Sequence, residues 1–324
     1  MSLMQQIVNE VRFPIFIIFV ICFALLSCSG QPTEPAFEEK LVVNGFLKAG
    51  SGVDSIVVSK TIPIEEKFDA SISRVRGAVV RVRRAGDRWF TLAEYPPAIV
   101  RDDQGNVIDE VGGIYFLPPE SLRVESGQTY ELSVAALGLE VGAQTTVPPQ
   151  ISIVEMNRGE RYGDRPLFAG GDTVEYVSGK SFADAPLFSV FWPPLPGVTI
   201  YRIIADADNG EFSNIIRDTT TAANIFKGDL EERVEPFGFN IAYTPDYNPM
   251  RGQISWLYFY FYGWHTLRLL AMDEAYAIYM QGQFDDNPIR ETPKSNIAGG
   301  FGIFASYSEV TFRVYVAKGP RSEP

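Results

Sequence analysis

Leu41-Val42-Val43-Asn44-Gly45-Phe46-Leu47 opens the folding part of the chain. The run has the length and β-branched content of a strand, and glycine, serine and charged residues bound it. Runs of the same kind follow it: Asp54-Ser55-Ile56-Val57-Val58-Ser59, Gly77-Ala78-Val79-Val80-Arg81-Val82-Arg83, Gly113-Ile114-Tyr115-Phe116, Thr129-Tyr130-Glu131-Leu132-Ser133-Val134 and Ala143-Gln144-Thr145-Thr146-Val147. Short strands at this spacing predict an antiparallel sandwich of the Ig-like or transthyretin-like kind over residues 40–149. Gly127-Gln128 is the turn that feeds the strand at Thr129. Pro148-Pro149 ends this domain, because neither proline can donate to a strand ladder and the pair favours an extended linker.

Residues 150–324 also read mainly as strand. Leu187 to Trp192 and Val198 to Ala205 flank a proline-rich turn, Pro193 to Gly197. Ile254 to Tyr262 alternates, with Trp256, Tyr258, Tyr260 and Tyr262 on one face and Leu257, Phe259 and Phe261 on the other, as in a central strand covered on both sides. Asp273 to Gln281 predicts the one helix. Asp273 can cap its first turn, Tyr276, Tyr279 and Met280 share a face, and Gly282 would end it. Phe301 to Ala305 and Val310 to Val316 read as a closing pair of strands. The expected fold class is mainly β: an N-terminal sandwich, then a second antiparallel β-domain with one short helix.

Upstream of the first strand, the apolar run from Phe13 to Leu26 starts just after Arg12 and ends in Leu25-Leu26-Ser27-Cys28-Ser29-Gly30. It is too short for a usual membrane span and has the placement of a secretory signal. The Leu-Leu-Ser-Cys order resembles the lipobox of bacterial lipoproteins, in which the cysteine thiol is diacylated, the preceding peptide is cut and the new amino terminus is acylated. Residues 1–27 are then a signal peptide, Cys28 carries the lipid, and residues 28–39 are a flexible tether. Burial of several acyl chains, at about 0.8 kcal/mol per CH2, holds such a chain on a bilayer without spanning it. The one other cysteine, Cys22, lies inside the signal, so the mature chain has no disulfide framework.

The fold must therefore rest on apolar burial, which 46% hydrophobic residues can supply. Net charge is −12, and the signal leaves it unchanged because Glu10 and Arg12 cancel. Such acidity argues against nucleic acid, or an anionic lipid face, as the main partner.

Several segments together resemble a family. They are the lipobox, Lys40-Leu41-Val42-Val43-Asn44-Gly45, the Gly-Ala-Val-Val-Arg-Val strand, Gly113-Ile114-Tyr115, Gly127 to Leu132, Trp192 to Tyr201, and Ser295-Asn296-Ile297-Ala298-Gly299-Gly300-Phe301-Gly302-Ile303-Phe304. In this order they are similar to Bacteroidota lipoproteins described as a domain of unknown function and often encoded near TonB-dependent outer-membrane receptors. The resemblance implies an outer-membrane location, on the periplasmic or the cell-surface face, and an accessory role in uptake. It brings no catalytic residues.

His265 is the only histidine. A zinc site needs more good ligands than accompany it, and no Gly-x-Ser-x-Gly elbow supports a triad, so it reads as a packed or rim residue. Asp206-Ala207-Asp208-Asn209-Gly210-Glu211 has calcium-like oxygen density but departs from an EF-hand, and it reads as a hairpin turn leading to a strand over Phe212 to Ile216. Asp102 to Asn106 is a second acidic loop.

Arg74, Arg76, Arg81, Arg83, Arg84 and Arg88 concentrate positive charge, and Arg81 and Arg83 share one face of their strand. They are candidates for glycolipid phosphate or an acidic partner, or simply a solvated face. Tyr243, Tyr247, Trp256, Tyr258, Tyr260, Tyr262 and Trp264 supply aromatic surface for a glycan or amphipathic ligand, or for a core. Tyr243 and Tyr247, with the rigid Pro245 to Pro249 loop, join Arg81 and Arg83 as the candidate binding residues. No catalytic residue, metal or cofactor is assigned.

The leading expectation is a lipid-anchored, non-enzymatic binding or assembly accessory to an outer-membrane uptake system, with a TonB-dependent receptor as candidate partner. A surface adhesion or structural lipoprotein is the alternative. A carboxylate-dependent hydrolase comes third, since no spacing in sequence establishes the carboxylate separation such chemistry needs.

Overall fold

The computed structural model describes residues 37–67, 69–101, 107–157, 172–176, 186–210, 214–216, 237–242, 249–255, 258–283 and 294–318. The first half contributes β1 (Leu41–Lys48), β2 (Val53–Lys60), helix α1 (Ala70–Ser73), β3 (Val79–Arg84), β4 (Phe90–Thr91), β5 (Ala93–Glu94), β6 (Ala98–Arg101), β7 (Val107–Val111), β8 (Ile114–Leu117), β9 (Thr129–Ala136) and β10 (Leu139–Thr146). The second contributes β11 (Glu155–Asn157), β12 (Asp172–Tyr176), β13 (Pro186–Trp192), β14 (Ile200–Ala207), β15 (Phe237–Ala242), β16 (Met250–Ser255), β17 (Gly263–Met272), helix α2 (Glu274–Gln283) and β18 (Phe301–Lys318). The fold is mainly β, as expected. No described helix is long and apolar enough to cross a membrane.

One strand organises the molecule. β18 spans 18 residues, about 60 Å at the usual rise. Its first part pairs in parallel with β1, Val42 opposite Phe301 through Lys48 opposite Tyr307. Its later part pairs antiparallel with β17, and its end pairs in parallel with β12. The resulting nine-stranded sheet runs β15-β14-β17-β18-β1-β2-β8-β5, with β12 beside β18. Smaller sheets, β10-β9-β3-β4 and β11-β13-β16, accompany it.

Alternation along β18 explains how both smaller sheets are held. Phe304 joins the core of β1, β2, β8 and the four-stranded sheet, whereas Phe312, Val314 and Val316 join the core formed with β13 and β16. All four are even-numbered, so they project from the same side of the strand. Between them come Ser306 and Ser308, both fully buried. Ser306 Oγ lies 2.6 Å from Thr145 Oγ1, and Ser308 Oγ donates to Pro149 O at 2.6 Å. The polar break in the strand thus sits at the seam between the two cores, where partners from β10 and the Pro-Pro linker satisfy it.

The cores divide at Pro148-Pro149, apart from Ile297 and Phe304, which the C-terminal segment lends to the first. The sheet does not divide there. Within the first core, Tyr130 Oη accepts from Glu125 N–H at 2.8 Å and reaches back to Arg123 O at 3.3 Å, a tyrosine-corner arrangement of Ig-like sandwiches.

The structure corrects four local expectations. Phe301 to Val316 is one strand, not a closing pair, because its polar centre stays in the ladder: Ser306 and Tyr307 pair with β1, and Tyr307, Ser308 and Glu309 with β17. Ile254 to Tyr262 is not a continuous alternating strand: β16 ends at Ser255, and the described residues Tyr258 to Tyr262 do not extend its ladder with β13. Tyr260 O instead accepts from Ile216 N–H, and Tyr262 N–H donates to Asn214 O. Both edges of β14 are paired, with β15 and β17, so the chain after residues 206–210 does not turn back onto it as a hairpin partner, and residues 211–213 lie outside the described residues. Finally, α2 continues past Gly282 to Gln283, and the short α1 is a second helix.

The β9–β10 hairpin closes through Leu137 (φ 54°) and Gly138 (φ 75°). Leucine is strained in this left-handed region, and at 56% exposure it gives little burial in return. Leu137→Asn is expected to stabilise the protein by about 0.5–1 kcal/mol, read as a higher urea midpoint. An unchanged or lower midpoint would contradict the strain.

Candidate functional site

The alternation Val80-Arg81-Val82-Arg83 places the two valines in the core and both arginines on the solvent side of β3. Arg83 is engaged there. Its Nε donates to Glu131 Oε2 at 2.6 Å on the neighbouring β9, and its guanidinium lies 4.4 Å from the Trp89 ring centre. Arg84 pairs with Asp87 at 2.7 Å and Glu125 at 3.1 Å, and Arg88 lies over Phe90. Arg81 is exposed and has no carboxylate partner among the described residues. Arg83, Arg84 and Arg76, the last 4.0 Å from Glu94, are thus paired with carboxylates, whereas Arg74, Arg81 and Arg88 have none among the described residues. Tyr243, Tyr247, Trp256 and the acidic residues 102–106 lie outside the described residues.

His265 is packed, with 1% of its surface exposed. Its Nδ1 lies 3.1 Å from Gly263 O, its ring meets Phe259 edge-on at 4.8 Å, and its Nε2 has no hydrogen-bond partner among the described residues. No group of three or more His, Cys, Asp or Glu among the described residues is arranged to hold a metal.

Burial pushes the imidazole below its usual range, against the Gly263 carbonyl, Asp208 and Asp206, which favour the proton. The sign follows directly. The unfolded chain takes up a proton near pH 6.5 that the folded chain resists, so this contribution is complete above that pH and is lost as the pH falls below it, down to the folded-state pKa. Within that window stability should fall by up to about 1.4 kcal/mol per pH unit on this account. His265→Phe should flatten the slope; an unchanged slope would assign it to other groups.

The acidic segment at the end of β14 is held by ion pairs. Arg268 Nε donates to Asp206 Oδ2 at 3.0 Å, Thr266 Oγ1 donates to Asp208 Oδ1 at 2.8 Å, and Arg313 pairs with Asp208 Oδ2. Burial raises the Asp208 pKa, but the Thr266 and Arg313 bonds outweigh it and hold the carboxyl below its ordinary value.

A cleft of about 640 Å³ lies along the seam, lined by Thr145, Pro148, Pro149, Pro196, Asp273 and Ile278 among others. Asp273 caps α2 as the sequence predicts, its Oδ1 accepting from Tyr276 N–H at 3.0 Å, while Oδ2 accepts from Thr145 Oγ1. Burial pushes its carboxyl up, against these bonds and those from Ser306. The neighbouring Glu274 is exposed, so the two do not form a desolvated carboxylate pair. Asp273→Asn, which keeps the cap and removes the buried charge, should stay within about 1 kcal/mol of the parent, whereas Asp273→Leu should cost about 2–4 kcal/mol. Equal melting of the two variants would remove the cap from the account.

The segment Ser295 to Phe304 is a structural clasp. Asn296 Nδ2 donates to Phe304 O at 2.7 Å and Gln144 O at 3.3 Å, and its Oδ1 accepts from Phe304 N–H at 2.9 Å. Ala298 and Gly142 exchange backbone hydrogen bonds. This is how β10 and β18 are joined.

A family model described as "Domain of unknown function (DUF4249)" matches residues 31–313. The chain belongs to the DUF4249 family. The match takes in the clasp and the described core strands, β18 as far as Arg313, and the family's description assigns no activity. No curated protein sequence matches this chain. Among solved structures, a chain titled "Cytokine receptor complex - Crystal form 1A" aligns at 11% identity over 87% of this chain and 97% of that one, with a TM-score of 0.19. A likeness that low carries no argument about fold or function.

Sequence reasoning missed two members of the exposed faces. Trp89 reaches Arg83 across the β3–β4 turn, and Tyr315 stands opposite Trp264 through the β17–β18 register. Only strand pairing reveals either contact.

Proposed function

We propose that this DUF4249 protein is a lipid-anchored, non-enzymatic component of the bacterial cell envelope that docks on an outer-membrane uptake receptor as a binding or assembly accessory. The observation that carries the reading is the solvent face of β3. Arg81 stands there without a carboxylate partner among the described residues, and Trp89, 37% exposed, is steadied by the Arg83–Glu131 pair. Arginine and tryptophan dominate protein interfaces when water is excluded around them. A rigid strand with its other side in a core presents them at little ordering cost. The Cys28 lipobox supports the membrane location, and Tyr243 and Tyr247 are the further candidate contact positions.

Native pull-down from mildly solubilised membranes tests this. The mature lipoprotein should recover an outer-membrane receptor, less so as salt rises, because an arginine-led contact is screened. Arg81→Glu should weaken recovery about tenfold. Recovery of the protein alone at low salt would favour a surface adhesion or structural lipoprotein instead.

A further inference from the structure

The outward side of β17 and β18 changes character along its length. At one end Leu270, Met272 and Ile303 are covered by α2 through Tyr276. Beyond Arg268 and Thr311 the same side opens to solvent and ends in Trp264 and Tyr315, exposed 38% and 37%. These two are directly opposite in the ladder, with ring centres 5.3 Å apart and planes at 72°. Arg313, one ladder step away, lies 4.8 Å from the Trp264 ring centre.

We propose that this Trp264–Tyr315 face is a stacking platform for a neutral carbohydrate chain. The inference rests on the reading of the protein as a binding accessory and names a ligand class for a separate face. Three observations select that class. Among the described residues the apolar surface here is two aromatic rings, whose surface left open by Arg313 suits the C–H groups of a sugar ring and offers no continuous path for an acyl chain.

The second observation is charge. Arg313 pairs with Asp208 and Arg268 with Asp206, so among the described side chains of the face these two cations and two anions cancel and give a phosphate or a polyanion no net attraction. The Arg313–Asp208 pair and the Thr266 hydroxyl bonded to Asp208 set fixed donors and acceptors beside the rings, as a hydroxyl-rich ligand requires. The third observation is rigidity. β17 and β18 lie inside the sheet, each paired on both sides, and Arg313 packs on the indole before any ligand arrives.

Native affinity electrophoresis of the mature lipoprotein in mild detergent, in gels cast with amylopectin, dextran, galactomannan or xyloglucan, tests the proposal. At least one of these should retard the protein, equally at low and high salt. Trp264→Ala and Tyr315→Ala should each bind about tenfold more weakly. Trp264→Phe and Tyr315→Thr, milder changes on a strand, serve if an alanine variant does not fold, and should also weaken binding. Arg81→Glu should leave retardation unchanged while impairing receptor capture, so the two readings fail separately. Retardation by none of the four polysaccharides, by dextran sulfate alone, or undiminished in a folded Trp264 or Tyr315 variant would overturn the platform.

Discussion

Gly302→Ala is expected to destabilise the protein by about 3–5 kcal/mol, a large share of the roughly 5–15 kcal/mol that holds a typical domain folded. Gly302 stands opposite Val43 in the parallel β1–β18 ladder at φ 110°. A Cβ there would lie 2.0 Å from the Val43 carbonyl oxygen, a backbone atom that cannot swing away as a side chain can. The conformation is open to glycine and strained for other residues. Relief requires β1 and β18 to part, and those strands join the two cores. Gly300, whose Cβ would lie 2.5 Å from Leu41 O, repeats the constraint two residues earlier. A thermal melt followed by circular dichroism reads the effect, and a Gly302→Ala protein that melts with the parent would show that β1 and β18 are not so closely apposed.

Removing β18 from the first core should have a comparable effect. Residues 37–149 expressed alone would expose one edge of β1, lose Ile297 and Phe304 from the core, and lose the Asn296 bonds to Gln144 and Phe304. Large-to-small changes at sites such as Phe304 cost about 3–5 kcal/mol singly, so the fragment should be at least that much less stable than the same residues in the whole chain. Its unfolding should become broad, and adding residues 294–318 as a covalently linked strand should restore a cooperative melt. A fragment 37–149 that melts cooperatively at the parent temperature would make the first sandwich self-sufficient.

These expectations show where the sequence was legible. Leu41 to Leu47 and Gly77 to Arg83 carry their own alternation, so the strands, their buried faces and the outward Arg81 and Arg83 follow from local pattern. Asp273 likewise announces its helix. β18 did not read as one strand because Ser306, Tyr307, Ser308 and Glu309 look like a polar loop until Thr145 and Pro149, some 160 residues away in sequence, supply hydrogen bonds. Ile254 to Tyr262 misled for the opposite reason: its alternation of aromatics is regular, yet β16 stops at Ser255 and Tyr260 and Tyr262 bond to Ile216 and Asn214, a pairing that no local pattern shows. The Ser295 to Phe304 segment, recognisable by resemblance, has its physical reason in the close approach of Leu41 and Val43.

The candidate faces divide in the same way. Arg81 and Arg83 were readable from one strand. The pairing of Trp264 with Tyr315, and the cancellation of Arg313 by Asp208, required the register of β14, β17 and β18.

The proposed lipid anchor, with a short tether between Cys28 and the first strand, is tested by mass spectrometry of the chain recovered from the native membrane fraction. The expected result is an N-terminus at residue 28 carrying acyl chains on Cys28, and a Cys28→Ser chain that is neither acylated nor processed by the lipoprotein route. An unmodified wild-type chain beginning at Met1 would contradict it.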